Sequence, residues 1–377
     1  MADRTRLVHF TYTWTSSGVS GFISNVSREL SESFDQTIVV WENRGTVFDD
    51  EIRDKGIEIV TLCKGRSKGI LDLSKACAAF RRYLKKEKPE IVHLHCSTSL
   101  ELKLLLAAKQ AKVPLRVAHC HNAGFEGSKL AKYIKQQIHI AYKDEFASFA
   151  NMRLACSKAA GDWLFPEGFP YTVIKNAIDV DRYMYSDEKR KALREKLGLK
   201  DEFTFCCTGR LSEQKNQAVL VEAFARYHQT HPNSALLLAG DGPERGKIEN
   251  LLSTHGIGHC VKMLGVVSDV GAVLSASDAY VLPSRFEGFG TAVLEAQVNG
   301  LPCLVSDTVS KEADLMGNAI RNPWDSSPAL WTSALEILSE RERYNGIDVA
   351  RASGYTKEKV ASYLATLYHS ALTELSN

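Results

Sequence analysis

The chain has 377 residues, 44% of them hydrophobic and 24% charged, with a net charge of +2. That make-up excludes disordered and fibrous classes and describes a globular protein too long for one ordinary core, so two domains are expected. No apolar run reaches the roughly 18 residues that a membrane span needs, and no signal peptide is evident at the start.

Nine cysteines, an odd number without small-domain spacing, argue against a disulfide framework and for a reducing, cytoplasmic setting. The charge is unevenly spread, about +7 through Lys175 and about −5 beyond it. A basic first half favours an anionic partner. Its clearest cluster is Lys75, Arg81, Arg82, Lys85, Lys86 and Lys88, on a predicted helix from Ser74 to Lys86 with Ala76, Ala79, Phe80 and Tyr83 inward. Such a face is either simply solvated or suited to the anionic inner surface of a membrane. No nucleic-acid partner is expected.

Leu7 to Tyr12 is a β-rich run, followed by a turn through Ser17 and Gly18 and a helical pattern to Leu30. Strand, glycine turn and helix open a Rossmann-like domain, although the glycine spacing is not the dinucleotide fingerprint. Further strands are predicted at Gln36–Trp41, Ile57–Leu62, Ile91–Cys96, Arg116–Asn122 and Arg153–Ser157, with a long helix from Lys129 to Phe149. The alternation points to a mostly parallel sheet, whose ligands bind beyond the carboxyl ends of the strands, where His95 and His121 should lie. His93, His95 and Cys96 with His119, Cys120 and His121 are atoms that zinc favours. Successive strand residues face opposite sides, however, and no Cys-x-x-Cys knuckle is present, so no metal is expected.

A hinge is expected near 176–185, and Arg182–Leu197 reads as one charged connector helix ending at Gly198. Phe203–Arg210 opens a second sheet, in which Cys206 and Cys207 read as small buried residues. Arg210 and Lys215 then flank a polar loop, two cations suited to a diphosphate. Further strands are Ser234–Gly240, Val261–Gly265, Asp278–Pro283 and Pro302–Ser306, followed by a helix opening at Lys311 and a last helix from Thr356 to Leu375. After Pro283 the turn carries Glu287, Gly288, Phe289 and Gly290, and Thr291 opens a helix containing Glu295. Free N–H groups and the positive helix end make this an anion site, and two carboxylates beside it can accept hydrogen bonds from a polyol.

The stretch from Ser284 to Ala296, with Glu287 and Glu295 separated by seven residues, resembles the signature of retaining glycosyltransferases of GT-B architecture, especially family 4 (group 1), which includes many capsular and exopolysaccharide transferases. Gly209–Asn216, Gly240–Glu244 and Gly300–Val305 follow the same family's pattern in order. The resemblance implies two doubly wound Rossmann-like α/β domains facing a cleft: an acceptor-binding domain over 1–178, a nucleotide-sugar-binding domain over 179–355, and a terminal helix, 356–377, packing back on the first. It implies a nucleotide-diphosphate sugar as donor, UDP being the expected carrier, and as acceptor a hydroxyl of a saccharide or lipid-linked saccharide in surface polysaccharide synthesis. Neither cofactor nor metal is expected. Gly18, in a Ser-Gly turn where the family has Gly-Gly, would approach the donor diphosphate. His121, in preference to His119, would contact the transferred sugar. Arg210, Lys215 and the N–H groups of Gly290 and Thr291 would stabilise the leaving diphosphate. Glu287 with Gly288 and Phe289 would hold the sugar, Glu295 the ribose, and Gly265 to Val267 the base. Two alternatives remain on sequence alone: a sugar-nucleotide epimerase of the same architecture, or a non-catalytic His/Cys metal-binding protein.

Overall fold

Short apolar runs bounded by glycine or polar turns become parallel strands throughout the computed structural model, which describes residues 4–63, 65, 67 and 72–376. The chain divides into two units, Met1–Ile178 with Tyr355–Asn377, and Asp179–Gly354. The first holds strands β1 (Thr5–Trp14), β2 (Phe34–Asn43), β3 (Glu58–Thr61), β4 (Ile91–Cys96), β5 (Leu115–Cys120), β6 (Met152–Ala155) and β7 (Thr172–Val173), in the sheet order β3-β2-β1-β4-β5-β6-β7. The second holds β8 (Phe203–Thr208), β9 (Ser234–Ala239), β10 (Val261–Gly265), β11 (Ala279–Leu282), β12 (Cys303–Ser306) and β13 (Ile320–Asn322), in the order β10-β9-β8-β11-β12-β13. Both sheets are parallel at every pairing and doubly wound, with the order reversing between β1 and β4 and between β8 and β11. A parallel sheet is covered on both faces. Accordingly every residue of β4, β9, β11 and β12 is buried.

In the first unit the helix Lys357–Ser376 turns Val360, Ala361, Leu364 and Tyr368 into the core beside Leu7, Phe22, Phe34 and Leu115. The chain returns there through a bridge between Ile178 and Thr356. The core of the second unit gathers Phe205, Leu220, Phe224, Leu238, Val281, Leu304 and Trp331. Cys206 and Cys207 are both buried, Cys207 within this cluster.

Three local expectations change. The connector is two helices, Val180–Tyr183 and Asp187–Leu197, because Ser186 is extended and caps the second by accepting from Lys189 N. Lys311–Ala313 is a single 3-10 turn, and β13 is an edge strand too short and polar to show a pattern. On the basic helix, Leu73–Glu87, Leu84 joins Ala76 and Phe80 in the core, while Ala79 and Tyr83 are half-buried.

Three strands of the second sheet run out into glycines with left-handed backbone: Gly209 (φ +133°), Gly240 (φ +144°) and Gly265 (φ +65°). A Cβ on Gly240 would lie 2.0 Å from the carbonyl oxygen of Gly209. Glycine is required there by conformation and by space. Gly240→Ala is expected to cost about 2–4 kcal/mol, measured as a lower urea midpoint; an unchanged midpoint would contradict this close approach.

Candidate active site

The carboxyl ends of β8 and β11 sit at the switch point of the second sheet, where crossovers part and leave a crevice. Loop 209–216 follows β8 and loop 283–290 follows β11, and the two are stitched together. Arg285 N donates to Gln214 O (2.7 Å), Gln214 Nε2 to Phe286 O (3.0 Å), and Arg285 pairs with Glu213 (2.9 Å). This stitching brings Lys215 Nζ within 2.6 Å of Glu287 Oε1. Their side chains are only 19% and 8% exposed, so the pair is largely withdrawn from water. Lys215 passes its stem over Gly209. Arg210 is exposed beside it, with its main-chain oxygen held by Gln217 Nε2.

Helix Thr291–Val298 starts from Gly290, at φ +102°, with no side-chain cap. Val293 N reaches Gly290 O (2.9 Å), which leaves the N–H groups of Thr291 and Ala292 outside the helix's own ladder. Gly288 and Phe289 are buried behind the turn and already engaged. Gly265 is held against Gly240, whose N–H donates to its carbonyl (2.7 Å); beyond it Val266 is exposed and Val267 half-buried.

Glu295 lies one turn into the same helix. Burial pushes its carboxyl up to about 7, opposed by a hydrogen bond from Tyr183 and by the charges of Arg182 and Lys215. Tyr183 and Arg182, from the short helix Val180–Tyr183, thus belong to the site. Sequence reasoning missed both as site residues: an aromatic in a charged connector carries no motif, and only the packing of that helix against the one bearing Glu295 reveals it. Lys215, Glu287, Glu295, Tyr183 and Arg182 form one electrostatically coupled group in the second unit.

Gly18 and His121 belong to the first unit. Ser17 caps helix Gly18–Leu30 reciprocally with Ser20, and Gly18 is its exposed first residue with an ordinary helical backbone. His121 follows β5. The register sets His9 beside His93 and His95 beside His119, so His9, His93, His95, His119 and His121 project from the same face of three adjacent strands. Their rings stack with neighbouring centroids 4.1–5.7 Å apart, Phe22 lying across them. His9 Nδ1 meets His95 Nε2 at 3.0 Å, and His95 Nδ1 meets His121 Nε2 at 2.9 Å. In a second chain, Tyr368 Oη meets His93 Nδ1 at 2.6 Å and His93 Nε2 meets His119 Nδ1 at 3.1 Å. His119 is fully buried, whereas His121 keeps some surface.

Among the described residues, the nitrogens of His9, His93 and His95 and those of His95, His119 and His121 lie close enough together to consider a metal, as do ligand atoms of His228, His259 and Cys260. In the stack the paired nitrogens face each other at 2.9–3.1 Å, within hydrogen-bond reach, while the Nε2 atoms of His9 and His119 have no partner among the described residues.

The family described as glycosyl transferases group 1 matches residues 189–322, and that described as glycosyltransferase family 4 matches residues 16–182. The chain is 32% identical over 291 residues to the Escherichia coli UDP-Gal:alpha-D-GlcNAc-diphosphoundecaprenol alpha-1,3-galactosyltransferase, covering 74% of this chain and 72% of that one. It is 25% identical over 381 residues to Bacillus subtilis EpsF, covering 98% and 97%. Among solved structures, Anabaena HepE in complex with UDP and glucose superposes with a TM-score of 0.80 at 17% identity, over 97% of this chain and 100% of that one. The sucrose-phosphate synthase of Thermosynechococcus elongatus superposes at 0.81 and 18% identity, over 98% and 100%. The E. coli relative is named a galactosyltransferase and both matching families are described as glycosyltransferases, which does not favour the epimerase and metal-protein alternatives. Two doubly wound units, paired acids at a switch point and this likeness lead to one conclusion: the chain belongs to the family 4 (group 1) glycosyltransferases of GT-B architecture.

Proposed function

We propose that the chain transfers a sugar, with retention at the anomeric carbon, from a UDP-sugar to a hydroxyl of a lipid-linked saccharide in surface polysaccharide synthesis. The observation that carries this reading is the 2.6 Å Lys215–Glu287 pair sharing a site with Glu295 beside glycine-lined strand ends. The E. coli relative is named for a UDP-sugar donor and a diphosphoundecaprenol-linked acceptor, which supports the same choice here.

In this reading the second unit binds the donor and the first the acceptor. The leaving diphosphate lies against Lys215, the exposed Arg210 and the N-terminus of helix Thr291–Val298, charges and dipoles already in place before reaction. Glu287 fixes the ammonium of Lys215 and accepts from hydroxyls of the sugar; Glu295 accepts from the ribose; the backbone from Gly265 to Val267 borders the base. The protein supplies its own cations, so no metal enters the scheme. A carboxylate tied to Lys215 is a poor nucleophile, which favours a front-face path in which the departing phosphate oxygen takes the acceptor's proton.

The lipid-linked acceptor implies work at a membrane surface. No described helix is long and apolar enough to cross a membrane. Helix Lys129–Ala147 exposes Leu130, Tyr133, Ile134, Ile138, Ile140 and Tyr142, while His139 and Phe146 face inward. Lys129, Lys132 and Lys135 flank that apolar face, a combination suited to lying in an anionic lipid surface. The basic helix Leu73–Glu87 offers charge alone, since its apolar residues are buried, and the contact is therefore assigned to Lys129–Ala147.

Four outcomes test these assignments. Lys215→Ala should weaken UDP binding about tenfold by calorimetry and lower kcat by about 10²–10³; unchanged kinetics in a folded variant would remove Lys215 from the site. For Glu295 the sign follows from its raised pKa. Keeping the acid neutral stabilises the unliganded fold fully below about pH 4.5, and that contribution is lost as pH rises through about 7. Ribose hydroxyls donate to the ionised form, so UDP affinity should rise between pH 6 and 8, by at most about tenfold per unit, and Glu295→Gln should flatten the profile. An unaltered slope in that variant would assign the proton elsewhere. Leu130→Glu with Ile134→Glu should lower partitioning onto phosphatidylglycerol vesicles at least about tenfold, and undiminished sedimentation with vesicles would reject this face. Proton NMR of the fresh product should show the donor's anomeric configuration; inversion would overturn the front-face path.

A further inference from the structure

The amino ends of a parallel sheet lie opposite its ligand-binding crevice, and at that end of the second sheet three ligating side chains meet. Helix Gln217–Thr230 runs into β9 through the short link 231–233. The first pairing of β10, Val261 with Leu236, brings the two residues ahead of β10 alongside the start of β9. His228 comes from the last turn of the helix, and His259 and Cys260 from that approach to β10. One ligand atom from each of the three lies within 4.8 Å of the other two. No motif announces the group, because its members come from two separate segments.

Hydrogen bonds of known direction orient His228. The hydroxyl of Ser234, the first residue of β9, donates to His231 O (2.6 Å), and a carbonyl can only accept. Its single proton is engaged there, so the 2.9 Å contact between His228 Nδ1 and Ser234 Oγ is a bond from the ring N–H to the hydroxyl oxygen. The neutral ring therefore keeps its lone pair on Nε2. An imidazole whose other N–H is held by a neighbouring oxygen is how proteins aim a metal-binding histidine. Phe224 backs the ring, with centroids 5.7 Å apart, and the ring of His259 meets it edge-on at 5.5 Å. Cys260 is buried, its Sγ–H donating to Ile257 O (3.3 Å), whereas His259 is exposed and can turn. A tetrahedral zinc ion, with bonds of about 2.0–2.3 Å to nitrogen and sulfur, needs such atoms about 3.3–3.7 Å apart. The set must close by at most about 1.5 Å, which rotation of His259 and of the Cys260 thiol away from Ile257 O allows.

We infer that His228, His259 and Cys260 bind a single zinc ion at the amino end of the second sheet, through two imidazoles and a thiolate, with water in the fourth position. Two nitrogens and a sulfur select a borderline metal such as zinc; magnesium and calcium take oxygen ligands, and none is in this set. Binding releases the thiol proton of Cys260 to solvent and exchanges its bond to Ile257 O for one to the metal. The ion ties helix Gln217–Thr230 to β10, an edge strand of the sheet, and so braces the margin of the second unit. It stands at the opposite end of the sheet from Lys215 and Glu287, takes no part in the transfer proposed above and does not depend on it.

The test is calorimetric titration of the full chain, untagged and stripped with a chelator, using zinc chloride, with cobalt(II) as a spectroscopic stand-in. One zinc per chain should bind with a Kd of about 1 µM or tighter and raise the thermal midpoint of unfolding. The cobalt complex should show the sulfur-to-metal charge-transfer band of a thiolate ligand. His259→Ala, at an exposed position, should weaken binding about a hundredfold and abolish the midpoint shift, and Ser234→Ala should weaken it about tenfold. Cys260→Ser should remove the charge-transfer band; should that variant fail to fold, His259→Ala and the wild-type cobalt spectrum decide. No binding at about 100 µM zinc, binding that survives His259→Ala as it would if zinc sat among the histidines of the first unit, or a cobalt complex without the sulfur band would each overturn the inference.

Discussion

A parallel sheet has to be covered on both faces, and the helices that cover it force chemistry to the carboxyl ends of the strands. Both units obey this constraint. In the second, β8, β9 and β10 end in left-handed glycines, and the helix after β11 begins at another, Gly290. Backbone therefore lines the crevice where side chains would otherwise stand, and cations and acids reach in from the loops between. The Lys215–Glu287 pair depends on that frame, because loops 209–216 and 283–290 are held together at the same switch point by a main-chain bond, a side-chain bond to main chain and an ion pair.

Within the site the two acids occupy different environments and suit different work. Glu287 is tied to an ammonium at 2.6 Å, which fixes its orientation. Glu295 is half-buried, and burial pushes its carboxyl up to about 7 against the opposing effects of Tyr183, Arg182 and Lys215. Lys215 acts on both. On the function proposed above, a diphosphate entering the site would meet cations already positioned, which is how fixed charges stabilise a leaving group without reorganising when the bond breaks.

The inward face of the first sheet poses the opposite problem, five polar rings in a core. Buried polar groups are costly unless paired. The stack answers by pairing imidazoles with one another and ending one chain on Tyr368, at the cost of unpartnered Nε2 atoms on His9 and His119. The C-terminal helix, which supplies Tyr368, is thereby part of the polar order of the sheet as well as of its apolar core.

The sequence by itself determined the alternation of strands and helices, the two-unit plan and the acid, cation and glycine positions of the second unit. Those rest on local periodicity, on turn residues with one conformational use, and on a motif whose members lie close in the chain. Local pattern also hid what it could not encode: the break at Ser186 within a helix-favouring run, and the polar edge strand β13. Tertiary structure alone decided that Tyr183 supports Glu295, that Lys215 pairs with Glu287, and that His9 joins histidines more than 80 residues away. Those contacts follow from strand order and register, and register is set by the packing of the whole sheet, which no short stretch of sequence carries.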